Sequence, residues 1–374
     1  MDFLRRTWAE IDLSALRDNF KKLRARIPET AGITAVVKAD AYGHGAEVVA
    51  RELEALGANS LAVSNLDEAA AIRRAGISLP ILILGNTPPE EAHIMRKLDI
   101  FTAVTGYETA KALSDMNCNI GVHIKLETGM GRLGIAARSE ELLSSAAEEM
   151  ARIAALPGIR VMGAFTHFST ADEPDDALTL RQYALFTKAC EMAAELGVEL
   201  PNRHCCNSAA ALRHPEFALD SVRLGIVLYG CVPDSCEDSI FSDAGLSPVM
   251  TLKSVVSQIT DYPAGSTVSY GAKKLERDTK IAVVCLGYAD GFDRALSNRG
   301  VALINGRLCP VIGRVCMDMT MFDVTDVPVS PGDEAIILGP ELPAEQVASL
   351  CGTINYELLC RVGRRVPRVF TRKD

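Results

Sequence analysis

Residues 33–45, ITAVVKADAYGHG, carry an apolar, β-branched run into a lysine and then into a loop with an acid, an aromatic and a histidine between two glycines. Ile33 to Val37 has the composition of a strand covered on both faces, as strands of parallel sheets are. Lys38 reads as its last residue. The amphipathic AEVVARELEAL of residues 46–56 follows at once, so the local order is strand, loop, helix.

The same unit recurs downstream. Strand-like runs appear at 59–65 (NSLAVSN), 79–85 (LPILILG), 100–105 (IFTAVT), 120–127 (IGVHIKLE), 159–168 (IRVMGAFTHF), 202–206 (NRHCC) and 221–230 (SVRLGIVLYG). Between them lie helical patterns such as LDEAAAIRRAG, PEEAHIMRKL, YETAKALSD and SEELLSSAAEEMARIAAL, rich in good helix formers. About eight such repeats over some two hundred residues match a (β/α)8 TIM-type barrel, and a doubly wound open sheet is the alternative with the same local pattern. After Gly230 comes a turn-rich bridge at 231–248, and helical periodicity largely disappears. The runs VMTLKSVVSQITDY, KIAVVCLGYADG, VALINGRLCPVIGRV, MTMFDVTDV and DEAIILG, separated by Gly, Pro and Asp, predict a mainly β C-terminal domain. The expected division is 1–240 for the barrel and 241–374 for the β-rich part. The opening strand at 7–13, TWAEIDL, is a candidate to pair with the latter.

The chain has 374 residues, 48% hydrophobic and 23% charged, with a net charge of -9 and a mean hydropathy of +0.13. That acidic balance without a basic run argues against nucleic acid or an anionic membrane surface and for a small-molecule substrate. The N-terminus lacks the apolar core of a signal peptide, and no stretch approaches the ~20 apolar residues of a membrane span, so a cytoplasmic location is expected. The eleven cysteines are scattered and read as reduced, mostly buried small hydrophobes. His204, Cys205 and Cys206 adjoin, but neighbouring strand residues point to opposite faces, so they make a poor metal cluster and no metal is expected.

In a barrel, chemistry sits at the C-terminal ends of the strands. Lys38 falls there, as do Arg132 after the fifth strand, His167 ending the sixth, Asn207 and Ser208 after the seventh, and Arg223 within the eighth. A lysine under apolar cover loses ammonium solvation, which turns it toward a free amine able to attack carbonyls. Ser208 opens SAAAL, where a hydroxyl and backbone N–H groups at a helix start bind anions, and Gly225 with Ile226 allows close backbone approach to the same place. Lysine plus phosphate site suggests pyridoxal phosphate. A Schiff-base aldolase acting on a sugar phosphate shares both features.

The strings AVVKADAYGHG, ETGMGRLG, FTHFSTAD, CNSAA, VRLGIVLYG, VSYG, GYADG, RVCMDM and INYELLC, in this order and across almost the whole chain, closely resemble those of bacterial alanine racemases. The resemblance implies pyridoxal 5'-phosphate bound as an internal aldimine on Lys38, with Tyr42, Ser208, Gly225, Ile226 and Tyr356 on the phosphate, Asn207 in the same site, and His167 beside the ring. Arg223 would donate to the ring nitrogen. A guanidinium keeps its proton, so the ring stays a weak electron sink and favours proton return over side reactions. Inversion at a stereocentre needs an acid–base group on each face, and the resemblance gives the second to Tyr270, reaching the site of the other subunit of a homodimer. Arg132 and the N–H of Met317 would hold the alanine carboxylate, with Asp318 bordering it and Tyr288 narrowing the mouth. Lys125 is a candidate N6-carboxylysine that would orient Arg132. Two departures stand out: Glu127 where aspartate is usual, and Leu224 where proline is common. The implied role is supplying D-alanine for peptidoglycan. Racemisation of serine or a broader amino-acid range, amino-acid decarboxylation, and non-catalytic binding of the cofactor are the competing readings. VSYG and CMDM count against the last.

Overall fold

The computed structural model describes residues 6–233 and 239–372. The bridge at 231–248 therefore lies partly outside the described residues, as do the first five residues of the N-terminal reading. Strands Gly32–Val36, Ser60–Val63, Ile81–Ile83, Ile100–Val104, Ile120–Glu127, Ile159–Phe165 and Arg203–His204 pair in this order, all parallel, and Ser221–Leu224 returns to pair with Gly32–Val36. Between the seventh and eighth strands the ring is closed by the Asp220 and Arg223 amides, which donate to the carbonyls of Arg203 and Cys206 at 3.2 and 3.0 Å. A parallel sheet that meets itself has no free edge strand, which excludes the open doubly wound alternative.

Alternation along the strands decides what faces inward. In Ile120–Glu127 every residue is buried. Because side chains alternate along a strand, Ile120, Val122, Ile124 and Leu126 share one face and Gly121, His123, Lys125 and Glu127 the other. Polar groups therefore enter the barrel interior as a set. Helices Ala46–Ala55, Leu66–Arg74, Tyr107–Asp115, Leu143–Ala154 and Ala177–Glu195 lie between strands, each with buried apolar positions.

A second sheet holds the later strands in the order Arg307–Pro310, Val301–Ile304, Glu334–Leu338, Met250–Tyr262, Thr7–Asp12 and Arg368–Thr371. The strands Thr279–Val284 and Thr320–Asp323 extend from the far half of Met250–Tyr262. Thr7–Asp12 thus lies between the first and the last strands of the C-terminal part, Met250–Tyr262 and Arg368–Thr371. Asp12 then caps the helix Leu13–Arg24, its carboxylate accepting from the Ser14 and Ala15 amides. That helix serves the barrel, where Arg17 pairs with Glu52 and Asn19 donates to the Leu228 carbonyl. Contrary to the expectation from periodicity, the later part also contains helices, Ala344–Cys351 and Asn355–Cys360. They are too short for 3.6-residue periodicity to stand out against their surroundings. Among the described residues no helix is long and apolar enough to cross a membrane.

Candidate active site

Lys38 does not close its strand. The strand ends at Val36, Val37 leaves the extended region (φ -120, ψ 20), and Lys38 opens a tight turn. The turn directs Lys38 into a cavity of about 420 Å³ at the C-terminal end of the barrel, lined also by Tyr42, His167, Asn207, Ser208, Arg223, Gly225, Ile226 and Tyr356. Burial first, then the Arg132 charge and more weakly Arg223, lower the Lys38 amine from its ordinary range, while Cys360 and Glu68 act the other way.

One end of the cavity is assembled by two short segments. Asn207 caps the helix Ser208–Arg213 with its side-chain oxygen on the Ala210 amide at 3.0 Å, which spares the Ser208 hydroxyl for other partners. That hydroxyl accepts from the Gly225 amide at 2.9 Å. A Cβ on Gly225 would stand 2.7 Å from Tyr42 Oη, so the glycine makes room for the tyrosine hydroxyl. Tyr42 is packed in turn against Tyr229 and Tyr356, with ring centroids 5.2 and 6.0 Å away.

Arg223 is buried in a cage of acceptors. Its Nη1 donates to His204 Nδ1 and to the His204 carbonyl, both at 2.9 Å, and its Nη2 to the carbonyls of Thr166 and Cys205 at 2.8 and 3.0 Å. Nη2 also lies 3.3 Å from His167 Nδ1. Its Nε–H has no partner among the described residues. Burial pushes the guanidinium down to about 10, still far above neutrality, so it remains a cation. His204 and His167 are held well below the usual histidine range, by burial first and then by Arg223.

The fifth strand ends at a second polar centre. Lys125 Nζ donates to the Leu126 carbonyl at 2.6 Å and lies over the Phe165 ring. Burial, then Arg223 and Arg132, push its amine down to about 7. Glu127, the departure from aspartate, closes the following loop. One carboxylate oxygen accepts from the Gly129 and Gly131 amides at 2.7 and 2.8 Å, and the glycines take positive φ values of 141 and 69. Arg132 is the next residue and is exposed; Met130 of this loop lines the cavity. Leu224 is fully buried.

Tyr270, Tyr288, Met317 and Asp318 do not line the cavity. They gather on the C-terminal part, where the Tyr288 and Ala289 amides donate to the carbonyls of Cys316 and Met317 at 3.0 and 3.1 Å. Arg365 joins Asp318 to the buried Asp290. Ser269, before Tyr270, donates to the Arg314 carbonyl at 2.7 Å. Tyr270 is 69%, Met317 52%, Met319 49% and Tyr288 43% exposed, a concentration of large apolar side chains unusual for a free surface.

Cys205 and Cys206 do not point to opposite faces. The strand stops at His204, and both thiols reach the Phe217 carbonyl, each at 3.2 Å. Among the described residues no group of three or more His, Cys, Asp or Glu could hold a metal. Sequence reasoning passed over His123, whose Nδ1 lies 3.0 Å from His204 Nε2. The alternation that places it on the same face as Lys125 was the available signal.

Comparison with known proteins agrees over the whole length. Residues 11–233 match the family model "Alanine racemase, N-terminal domain", and residues 249–370 match "Alanine racemase, C-terminal domain". The alanine racemase of Desulfovibrio desulfuricans is 44% identical over 378 residues, covering 99% of each chain. That of Desulforamulus reducens is 42% identical over 370 residues, covering 97% of this chain and 98% of the other. The solved structure of alanine racemase from Clostridium difficile 630 is 39% identical, with a TM-score of 0.93, covering 100% of this chain and 97% of that one.

Proposed function

Because this chain belongs to the alanine racemase family, we propose that it interconverts L-alanine and D-alanine with pyridoxal 5'-phosphate and two bases, working in the cytosol to supply D-alanine for peptidoglycan. The observation that carries the cofactor assignment is Arg223. A buried guanidinium whose two terminal nitrogens are committed to protein acceptors still holds an unpartnered Nε–H, and it lines the cavity beside an amine. A group with a polar ring acceptor, a carbonyl and a phosphate fits these donors, and the volume lies in the range of small-molecule sites.

When bound, pyridoxal phosphate supplies a carbonyl for amine condensation and a conjugated ring that spreads the electron pair at the substrate Cα. The chain's own residues do the rest. Tyr42, Ser208, Tyr356 and the backbone of Gly225 and Ile226 bind the phosphate, with Asn207 holding the helix start that carries Ser208. Arg223 donates to the ring nitrogen without giving up its proton, and His167 packs beside the ring. Lys38, with its amine already biased toward the neutral form, anchors the cofactor and exchanges a proton at Nζ on one face. The partner subunit's Tyr270 exchanges one at Oη on the other face. This assignment makes the homodimer the active unit and gives the exposed face at 270–319 its covering. Arg132 and the Met317 N–H bind the substrate carboxylate, Asp318 borders them and Tyr288 narrows the mouth.

The reading is tested by incubating the protein with L-alanine and pyridoxal phosphate in deuterated water. Loss of optical rotation with one deuterium at Cα and no carbon dioxide is expected. Carbon dioxide release instead identifies a decarboxylase. Borohydride reduction and peptide mapping should place the pyridoxyl group on Lys38, and an adduct on another lysine overturns that assignment.

A further inference from the structure

Directly after Lys38 come four consecutive residues with left-handed backbone: Ala39 (φ 51), Asp40 (φ 55), Ala41 (φ 54) and Tyr42 (φ 52). None is glycine, and in each the Cβ crowds the following carbonyl. A run of this kind persists only where its surroundings hold it. At its start the Ala39 amide donates to the Glu68 carboxylate at 2.7 Å. Asp40 accepts from the Ala46 amide at 2.7 Å through its side chain and from the Gly45 amide at 2.9 Å through its carbonyl. Arg368, from the last strand, donates to the Gly43 carbonyl at 2.9 Å.

The inner clamp is His44. Its Nδ1 lies 2.9 Å from the Ala41 carbonyl and 3.0 Å from the Tyr42 carbonyl, two acceptors that require a hydrogen on that nitrogen. The ring is fully buried and stacks on Tyr229 with centroids 4.5 Å apart. Tyr229 Oη in turn donates to the Val36 carbonyl at 2.9 Å, the end of the strand before Lys38. Nε2 has no hydrogen-bond partner among the described residues and borders a void of about 10 Å³ lined largely by apolar side chains such as Met250 and Leu359. Only the neutral ring with its hydrogen on Nδ1 satisfies these contacts.

We propose that His44 is a positioning residue: its Nδ1–H fixes the left-handed turn that aims Lys38 and Tyr42 into the cavity. The proposal rests on the assignment of Lys38 as the cofactor's anchor. It distinguishes a specific donor from mere core packing, because His44→Asn keeps an N–H donor near the Nδ1 position, whereas His44→Phe keeps a ring against Tyr229 but donates nothing.

The test uses the full-length chain freed of cofactor. The rate of adduct formation on Lys38 with pyridoxal phosphate is followed by borohydride quenching and peptide mapping. The affinity for pyridoxine 5'-phosphate, which has no aldehyde, reports the Tyr42 end separately. His44→Phe should slow adduct formation and weaken pyridoxine phosphate by about tenfold to a hundredfold, the order expected for leaving two carbonyls without their donor. His44→Asn should stay within about threefold of the parent. A His44→Phe protein that matches the parent overturns the proposal, and so does a His44→Asn protein as poor as His44→Phe. Should His44→Phe not fold, nitrogen-15 spectra of the unmodified protein decide: a proton on Nδ1 is expected, and an Nε2–H tautomer refutes the assignment. Absence of any adduct on Lys38 in the parent would instead undo the anchor assignment.

Discussion

Arg223 and His204 are joined through the one nitrogen of the imidazole that cannot carry a proton. Arg223 Nη1 approaches His204 Nδ1 at 2.9 Å, and a guanidinium has donors only, so Nδ1 must offer its lone pair. The ring's hydrogen then sits on Nε2 and is donated to His123 Nδ1, 3.0 Å away, which puts the hydrogen of His123 on its own Nε2. Both rings are neutral. His123 is lowered to about 4 by burial and by Arg223, and His204 falls well below its usual value for the same causes.

A pH dependence of stability follows. His44 is likewise lowered to about 4 by burial. These three buried imidazoles take up protons when the chain unfolds, near the ordinary histidine value of about 6.5, but not while it is folded. The unfolded state binds more protons between about pH 6.5 and 4, so stability is complete above that window and falls as the pH drops through it. Each group contributes a slope of up to about 1.4 kcal/mol per pH unit. Thermal midpoints should hold from about pH 7.5 to about 6.5 and fall from there to about pH 4.5, and replacing His123 by Asn should make the fall shallower. A flat profile would mean that these rings are charged in the fold.

Much of the fold was readable because burial writes a period into the chain. The two-residue alternation of 120–127 and the apolar run at 33–37 follow from which faces the barrel and its helices cover. The turn after Lys38 was not readable, since Ala-Asp-Ala-Tyr carries no compositional mark of left-handed backbone; its causes, His44, Glu68 and Arg368, are contacts made only after folding. Cys205 and Cys206 were misread because the strand ends at His204, two residues sooner than the strand-like run at 202–206. Tyr270 and Met317 came from resemblance, and no local pattern in VSYG or CMDM announces the exposed face they share.

Lys125 should react with carbon dioxide. Its amine, brought down to about 7, is largely unprotonated at pH 8, and the free amine adds carbon dioxide with loss of one proton to give a carbamate. The product sets an anion beside Arg132 and Arg223, an attraction the neutral amine lacks. Carbon-13 bicarbonate at pH 8 should give a carbamate resonance that is absent in Lys125→Ala. A parent spectrum without that resonance rejects the modification and leaves the racemase reading standing.

Glu127 should govern substrate affinity through Arg132. Removing its carboxylate in Glu127→Ala leaves the Gly129 and Gly131 amides without their acceptor, a cost of about 1–3 kcal/mol that loosens the loop carrying the arginine. KM for alanine should rise about tenfold with kcat changed less. Glu127→Gln keeps the shared oxygen acceptor and should restore most of the affinity. Equal damage from both substitutions would show that the charge, rather than the loop closure, is what matters.

Gly225→Ala should fold but bind phosphate poorly. The new Cβ would stand 2.7 Å from the Tyr42 hydroxyl. Tyr42 must withdraw from the cavity. Affinity for pyridoxine 5'-phosphate should drop about tenfold, the worth of one hydrogen bond to a charged group, with the thermal midpoint little changed. Unaltered affinity would remove Tyr42 from the phosphate site.

Tyr270 provides the decisive check on the homodimer. It is 69% exposed and does not line the cavity holding Lys38, so Lys38 and Tyr270 can serve one site as two bases only if one comes from a second chain. Lys38→Ala and Tyr270→Ala should each be nearly inactive alone. In a mixed dimer of C2 symmetry, one site carries both lesions and the other carries neither. Equal amounts of the two variants, unfolded and refolded together, form mixed dimers as about half of the population under statistical pairing. Each has one intact site of two, so about a quarter of the parent activity should return. Two lesions acting within one chain could never produce that recovery. If native mass spectrometry shows the mixed dimers and activity does not rise, Tyr270 is no shared base, and the second proton donor must be sought within the barrel itself.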